Sequence, residues 1–482
     1  MSVFVILRIL GLLLVLFSLT MVPPMVIAQI FHDGNWHAFG VGMAISVVTG
    51  ALLYWPNRHA RRELRTRDGF IITVLFWSVL GLFGSIPFIV SSDPDLTFTD
   101  AVFESFSGLT TTGATVLSGI DHLPDSIRFY RQQLQWLGGM GIVVLAVAIL
   151  PTLGIGGMQL YRTEIPGPLK DSKLTPRITE TAKALWYIYV ILTVICALAY
   201  WLAGMNWFDA IGHSFATVAV GGFSTYDASI AHFDSATIEM ICVFFMIVSS
   251  VSFGLHFAVW RERRLLQYIR DPEFRFFVTF LGALVAITIV TLFATGTYHD
   301  ATGIRHGIFE AVSVATTSGF SVADFTLWPG VLPIMLFMAA FVGACSGSAG
   351  GGMKVIRILL ILKQGIREVH RLIHPNAVFV VKLGKMRISE GVAEAVWGFF
   401  SVYLMLFVVM LLALLATGLD QVTAWSAVGS ALNNLGPGLG AVSTDYGGIP
   451  TVAKWILVLA MMLGRLEIFT ILVLFSPAFW RR

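Results

Sequence analysis

Charge is what this sequence has least of. Only 12% of its 482 residues are Asp, Glu, Lys or Arg, whereas 56% are apolar. A mean hydropathy of +0.81 leaves too little polar surface to cover a soluble particle of this size. A water-soluble enzyme and a disordered tether are both excluded. Cysteine is equally scarce: Cys196, Cys242 and Cys345 lie far apart in apolar stretches, with no C-x-x-C spacing. That rules out a secreted disulfide scaffold and offers no metal-ligand set. No G-x-x-x-x-G-K-[ST], G-x-G-x-x-G or H-E-x-x-H context occurs, so no nucleotide site and no enzyme activity is expected of this subunit. His213 and His256 have no second ligand at i+4, which fits core histidines better than a metal site.

Long apolar runs are what the sequence has in abundance. About 20 apolar residues cross a bilayer as a helix. Runs at 3–30, 36–55, 69–91, 130–157, 182–204, 236–260, 274–297, 329–344, 395–418 and 452–476 predict an all-α polytopic membrane protein. The first run is too long for a signal-peptide core and lacks a small-residue cleavage site, so it reads as a retained span. Segments 58–67, 162–183, 261–275 and 354–387, with Arg8, Arg481 and Arg482, hold 26 of the 31 basic residues and can share one face. Lys and Arg concentrate in cytoplasmic loops, so both termini are expected there. The opposite segments hold 16 acidic residues against only Arg128, Arg131, Arg305 and Lys454. An acidic mouth attracts cations, although acidic residues are also simply tolerated outside.

Four of those outer segments repeat one pattern. Residues 99–113, 208–222, 309–319 and 423–436 each give a short apolar stretch ending at Gly113, Gly222, Gly319 and Gly436. The glycines are spaced by 109, 97 and 117 residues, close to a quarter of the chain, and each unit lies between two full spans. A piece of ~12 residues rises about 18 Å as a helix, too little to cross. It must enter and return on the same side. Non-helical backbone survives at membrane depth only where it is buried in protein or faces water. Four such hairpins around one axis would turn carbonyl oxygens into a shared path, the arrangement that strips and coordinates a monovalent cation. Hydroxyls of Thr110, Thr111, Thr112 and Ser318 are further candidate acceptors, and Glu104 and Glu310 either stabilise the pore helices or sense cations at the mouth. Any single copy would read as an ordinary turn; four in order do not.

A second irregularity follows the apolar run at 332–344. Four glycines fall within 347–352, and each costs a helix about 1 kcal/mol relative to alanine. The break reads as a loop lining a cavity, or as a flexible break at the cytoplasmic edge. Arg465 falls within the run 452–476, where a central arginine costs at least ~2.5–3.5 kcal/mol. It therefore faces the interior, either in the ion path or tied to Glu467.

Thr-Thr-Thr-Gly, Val-Gly-Gly-Phe-Ser, Thr-Thr-Ser-Gly-Phe-Ser and Asn-Asn-Leu-Gly-Pro-Gly, in that order, resemble the filters of the Trk/Ktr/HKT superfamily of cation transporters. The resemblance covers essentially the whole chain. It implies a pseudo-tetramer of helix–pore-loop–helix repeats at 69–180, 181–272, 273–388 and 389–482, preceded by two extra spans and a basic loop at 1–68. It implies K+ as the transported ion, bound by Thr110, Thr111, Thr112, Gly113, Val220, Gly221, Gly222, Thr317, Ser318, Gly319, Asn434, Leu435 and Gly436. It further implies an intramembrane gating loop at 345–353 with Gly347, Gly350, Gly351, Gly352 and Arg465 as gate. A homodimer in the bacterial inner membrane, served by a cytosolic TrkA-like subunit that binds nucleotide and NAD, completes the implied assembly. The basic segments otherwise orient the chain or meet anionic lipid. The alternative is a secondary transporter coupling K+ to H+ or Na+, for which paired broken helices together with an inverted repeat would be the sign, whereas the four units here run in serial order.

Overall fold

The computed structural model describes residues 3–60, 66–144, 174–384 and 386–480. The expected span end at 145–157, most of the basic segment at 162–183, and Arg61, Arg62, Arg65, Lys385, Arg481 and Arg482 lie outside the described residues. Apart from a two-residue antiparallel pairing of Lys382–Leu383 with Met386–Arg387, the described secondary structure is helical.

Among the described residues, six helices are long and apolar enough to cross a membrane: Val3–Phe31, Trp36–Asn57, Arg67–Val90, Ala182–Leu202, Pro272–Ala294 and Glu390–Ala416. Their 21 to 29 residues correspond to about 31–44 Å of helix, enough for the hydrocarbon core. Exposed Ile191, Leu198, Val290 and Leu412 on their outer faces present hydrocarbon outward, as a lipid-facing helix must.

Between the spans sit four short helices, Phe98–Leu109, Trp207–Val218, Ala301–Ala315 and Gln421–Asn433. Each starts at an N-cap side chain. Thr97, Asn206, Asp300 and Asp420 accept from the backbone N–H groups of Asp100, Asp209, Thr302 and Thr423, satisfying donors that a helix start leaves free. These pore helices are buried along most of their length, so the polypeptide of each repeat dips inward and returns.

The helix after the pore helix departs from the sequence expectation in repeats 2 and 4. One break was expected, in the third repeat; among the described residues three are present. Ala236–Ser249 turns by 88° into Phe253–Glu262, and Thr451–Arg465 turns by 114° into Ile468–Phe475. In the third repeat Leu332–Val342 ends, a loop runs through residues 343–354, and Val355–Ile373 follows. The breaks satisfy one another: Phe253 N–H at the second-repeat break donates to the Gly347 carbonyl of the loop at 3.0 Å. Contacts between distant segments, rather than local glycine content, decide where those helices stop. Arg465 is consequently the last residue of its helix and not the middle of a continuous span.

The apolar core forms two bodies. One joins the N-terminal helices with repeats 1 and 4, through Phe39, Phe103, Tyr130, Val428 and Met461. The other joins repeats 2 and 3, through Tyr189, Met246, Phe309 and Phe337, and is met by Leu435 of repeat 4. The N-terminal helices cross at Gly11 and Gly50, where a Cβ on either residue would approach the other's carbonyl oxygen within 2.6 and 2.8 Å. Backbone-to-backbone contact of this kind lets small residues lock membrane helices together. Gly50→Val should therefore cost about 1–3 kcal/mol of stability through overpacking and lower the melting temperature in detergent. Gly391→Ala, where the added Cβ meets open space, should not.

Candidate ion-conducting site

Every pore helix ends in the same hydrogen-bonded cap. Thr111, Val220, Thr317 and Asn434 N–H groups donate to the carbonyls three residues back, at 2.9, 3.1, 3.0 and 3.3 Å. Thr112, Gly221, Ser318 and Leu435 N–H groups donate five residues back, at 2.8, 2.9, 2.8 and 2.9 Å. This is the Schellman arrangement, whose left-handed residue is usually glycine. Here it is Thr111 (φ 53°), Val220 (φ 56°), Thr317 (φ 63°) and Asn434 (φ 52°). Three of the four are β-branched and strained by about 1–3 kcal/mol each. Strain retained at three of four equivalent points marks a site whose backbone shape matters more than its local cost.

Two residues later the chain is left-handed again, at Gly113 (φ 80°), Gly222 (φ 81°), Gly319 (φ 78°) and Gly436 (φ 104°). The residue between stays at negative φ. Alternating hand turns successive carbonyls toward one side. The four segments meet each other: a Cβ on Gly113 would lie 2.1 Å from the Gly221 oxygen, on Gly222 2.1 Å from Ser318, on Gly319 2.2 Å from Leu435, and on Gly436 2.8 Å from Thr112. The contacts run from repeat 1 to 2, 2 to 3, 3 to 4, and 4 back to 1. They close a ring.

Among the described residues, none donates a hydrogen bond to the carbonyls of Thr111, Thr112, Val220, Thr317, Ser318, Asn434 or Leu435. These carbonyls belong to residues no more than about 1% exposed. Buried backbone acceptors ordinarily find a partner, and a cation on the axis is a partner for all of them together. The C-terminal ends of four helices converge on the same point, adding partial negative charge. Side chains sort themselves by position. Thr110 and Thr112 hydroxyls bond each other at 2.8 Å, as do Thr316 and Ser318 at 2.9 Å, with Thr110 and Thr316 also bonded back to their helices. Those hydroxyls brace the loop from behind. Thr111 Oγ1 is buried without a partner among the described residues.

The extended segment after each of these glycines is held by its own pore helix. Glu104 accepts from Thr115 Oγ1 and Val116 N–H at 3.0 Å, and Glu310 accepts from Val322 and Ala323 N–H at 2.7 and 3.0 Å. His213 occupies the same place in repeat 2 and bonds Ser224 Oγ at 2.9 Å. In repeat 4, Ser426 and the backbone of Leu439 bond reciprocally. Glu104 is also paired with Arg131 at 2.7 Å, both side chains being at most 1% exposed. Sequence reading had counted Arg131 as one of four stray outer cations. In fact all four are paired: Arg128 with Asp125, Arg131 with Glu104, Arg305 with Glu239 and Lys454 with Asp100. The remaining outer carboxylates, Asp93, Asp121 and Asp445 among them, leave that face negative.

Beneath the ring lies the loop of the third repeat. Gly351 N–H donates to Thr317 Oγ1 at 2.7 Å and Gly352 N–H to the Asn433 carbonyl at 3.0 Å. Cys345 and Ala349 N–H groups donate to Ser250 and Ser249 at 2.9 and 3.2 Å. The loop thus reaches from the second-repeat break to the inner ends of filters 3 and 4. Its glycines are required by contact: a Cβ on Gly351 would sit 2.0 Å from the Asn433 oxygen, and on Gly350 2.5 Å from Ala344 Cβ. Arg465 Nη1 donates to the Ala349 carbonyl of this loop at 2.8 Å, while its Nε and Nη2 have no partner among the described residues. Glu467 pairs instead with Arg357 at 2.7 Å, and Arg357 lies 4.1 Å over the Phe399 ring. The Arg465–Glu467 tie considered from the sequence does not form.

The sequence model of the TrkH family, described as a cation transport protein, matches residues 36–482. The Trk system potassium uptake protein TrkH of Halomonas elongata is 70% identical over 482 residues, covering all of both chains. The protein of the same name from Escherichia coli K12 is 57% identical over 475 residues, 98% of each chain. The crystal structure of the potassium transporter TrkH from Vibrio parahaemolyticus superposes with a TM-score of 0.93 at 51% identity, covering both chains completely.

The buried pair behind the first filter gives a stability test. Arg131→Met strands the Glu104 carboxylate without its cation and should cost about 3–5 kcal/mol, read as a lower melting temperature. Adding Glu104→Gln should recover part of the loss, because the buried charge is then gone. A double variant no more stable than Arg131→Met would mean that the pair is not coupled.

Proposed function

The chain belongs to the TrkH family of cation transport proteins, and on that premise we propose that it takes up K+ across the bacterial inner membrane through the ring of four filter loops. The closed cycle of glycine-to-carbonyl contacts carries this reading, because it sets unpaired acceptors from all four repeats around one axis. A dehydrated K+ exchanges its water for those carbonyls. The acidic outer face supplies ions, and the four helix C-termini stabilise the charge once it enters. The family is one of transport proteins rather than enzymes, and the six long apolar helices agree with a multi-span membrane protein. The cytoplasmic placement of both termini rests on the basic residues confined to one set of segments.

Gating follows from what underlies the ring. The loop at 345–353 closes the path beneath filters 3 and 4, and Arg465 holds it there through the Ala349 carbonyl while presenting positive charge to an arriving ion. Opening then requires the loop to leave Thr317, Asn433, Ser249 and Ser250. A homodimer with one pore per copy, and a cytosolic TrkA-like regulatory subunit that binds nucleotide and NAD, complete the reading; a multi-component system is what the relatives' names describe. Coupling to H+ or Na+ gains no support from the helix breaks. They fall in three serial repeats rather than in an inverted pair, and the breaks of the second and fourth both bond to the loop of the third.

Ion flux into liposomes, with K+, Rb+ and Na+ under controlled gradients, tests both parts. Gly113→Ser should lower the K+ to Na+ flux ratio, since the new Cβ has no room beside the Gly221 oxygen; an unchanged ratio in a folded variant would overturn the filter assignment. Deleting 347–352 should raise K+ flux, and a folded deletion no more conductive than the parent would remove the loop as principal barrier. Arg465→Ala should do likewise. A unit charge ~8 Å from a passing ion is worth about 2 kcal/mol at an effective dielectric near 20, or roughly thirtyfold in rate. Unchanged flux with a large loss of stability would make Arg465 a scaffold residue only.

A further inference from the structure

One ring carbonyl differs from the other three. Thr112, Ser318 and Leu435 contribute carbonyls with no donor among the described residues, whereas the Gly221 carbonyl accepts from Gln135 Nε2 at 2.6 Å. Gln135 belongs to the second helix of repeat 1, Asp125–Val144, and is fully buried. Its other amide atom, Oε1, accepts from Phe223 N–H at 3.0 Å. The Phe223 donor fixes which end of the amide is oxygen, so the nitrogen must face Gly221. One side chain therefore brackets Gly222, the filter glycine, from the carbonyl before it to the N–H after it.

The bracket also explains a residue that the other repeats do not share. Where repeats 1, 3 and 4 have Thr112, Ser318 and Leu435, repeat 2 has a second glycine. A Cβ on Gly221 would lie 2.5 Å from Gln135 Cδ. The amide occupies the space that the residue's own side chain fills elsewhere. In repeats 1 and 3 that space holds the hydroxyls paired with Thr110 and Thr316. Gln135 is not isolated: Arg131 and Gln132, four and three residues earlier on the same helix face, donate to the Ser224 and Phe223 carbonyls at 3.0 and 3.2 Å. Repeat 1 thus lends repeat 2 a polar stripe that reads along its filter backbone.

We propose that Gln135 is a positioning residue for ion discrimination, holding the Gly221 carbonyl at a fixed distance from the pore axis. This rests on the K+-filter reading above. A ring contracts around the smaller Na+ only if its carbonyls move inward. A carbonyl tethered from behind resists that movement, and part of its acceptor capacity is already engaged. Three free carbonyls and one tethered carbonyl make a ring that cannot close evenly around a small ion.

The test uses full-length protein in liposomes, with the K+ to Na+ flux ratio and melting temperature measured on each preparation. Gln135→Met removes donor and acceptor at similar volume, and Gln135→Glu keeps the acceptor for Phe223 while losing the donor when ionised. Each should lower the ratio by about fivefold, the scale of one neutral hydrogen bond. Gln133→Met is the matched control. Gln133 sits on the same buried helix but donates to the Thr20 carbonyl at 2.7 Å, away from the ring, and its loss should leave the ratio unchanged at a comparable cost in melting temperature. If Gly113→Ser lowers the ratio while neither folded Gln135 variant does, Gln135 is structural and the filter reading stands. An equal fall in Gln133→Met also overturns the inference, because any buried amide would then serve. If Gly113→Ser leaves the ratio unchanged, the filter reading fails, and this inference with it.

Discussion

The structure depends on one constraint: four chain segments of unlike sequence must bring a carbonyl against the glycine of the preceding repeat, in a closed cycle. Each contact is too tight for a Cβ, which restricts those positions to glycine independently of dihedral preference. The contacts also leave a set of buried acceptors without a donor among the described residues, a state that costs free energy. Pore helices, capping residues and the extended segments after the glycines are arranged to hold that geometry against its own strain, visible in the left-handed Thr111, Val220 and Thr317.

The four repeats solve this problem with different chemistry. Repeats 1 and 3 use a buried glutamate and a hydroxyl clasp, and in repeat 1 the glutamate has Arg131 as partner. Repeat 2 uses His213 from its own pore helix and a polar stripe from repeat 1. Repeat 4 uses Ser426, with Ser430 and Tyr446 both donating to the Gly436 carbonyl at 2.7 and 2.9 Å. Identical backbone with unlike support makes the ring fourfold in shape and unequal in stiffness. Sharing supports between neighbours also means that no repeat can complete its filter alone.

On the inner side, the helix breaks serve the same end. A straight second helix in repeat 3 would carry its chain past the axis; the glycine-rich loop instead stays beneath the filter, tied to repeats 2, 3 and 4 by backbone hydrogen bonds. Arg465 reaches the loop because its own helix stops there. Its guanidinium uses one arm on Ala349, so one interaction joins the fourth repeat to the glycine-rich loop. The Arg357–Glu467 pair links the helix leaving the loop to the segment leaving Arg465.

Hydropathy and the four spaced glycines determined the membrane class, the serial repeat and where the four capped loops fall along the chain. Those signals are local: a run of apolar side chains, or a Gly at a fixed interval, carries its meaning without its neighbours. The glycine cluster at 347–352 likewise announced a break from its own composition. What only the tertiary structure decided was which groups meet. Arg131 and Gln135 lie inside a span that sequence reading treated as apolar. Their spacing with Arg128 and Gln132 along one helix face was the available signal, but their partners are backbone carbonyls some 90 residues away. The breaks after Ser249 and Arg465 lack a glycine cluster and exist because the loop of another repeat satisfies or claims their polar groups. Backbone atoms are the same in every residue, so a site built from carbonyls, and from the side chains that hold them, becomes visible only when distant segments are brought together.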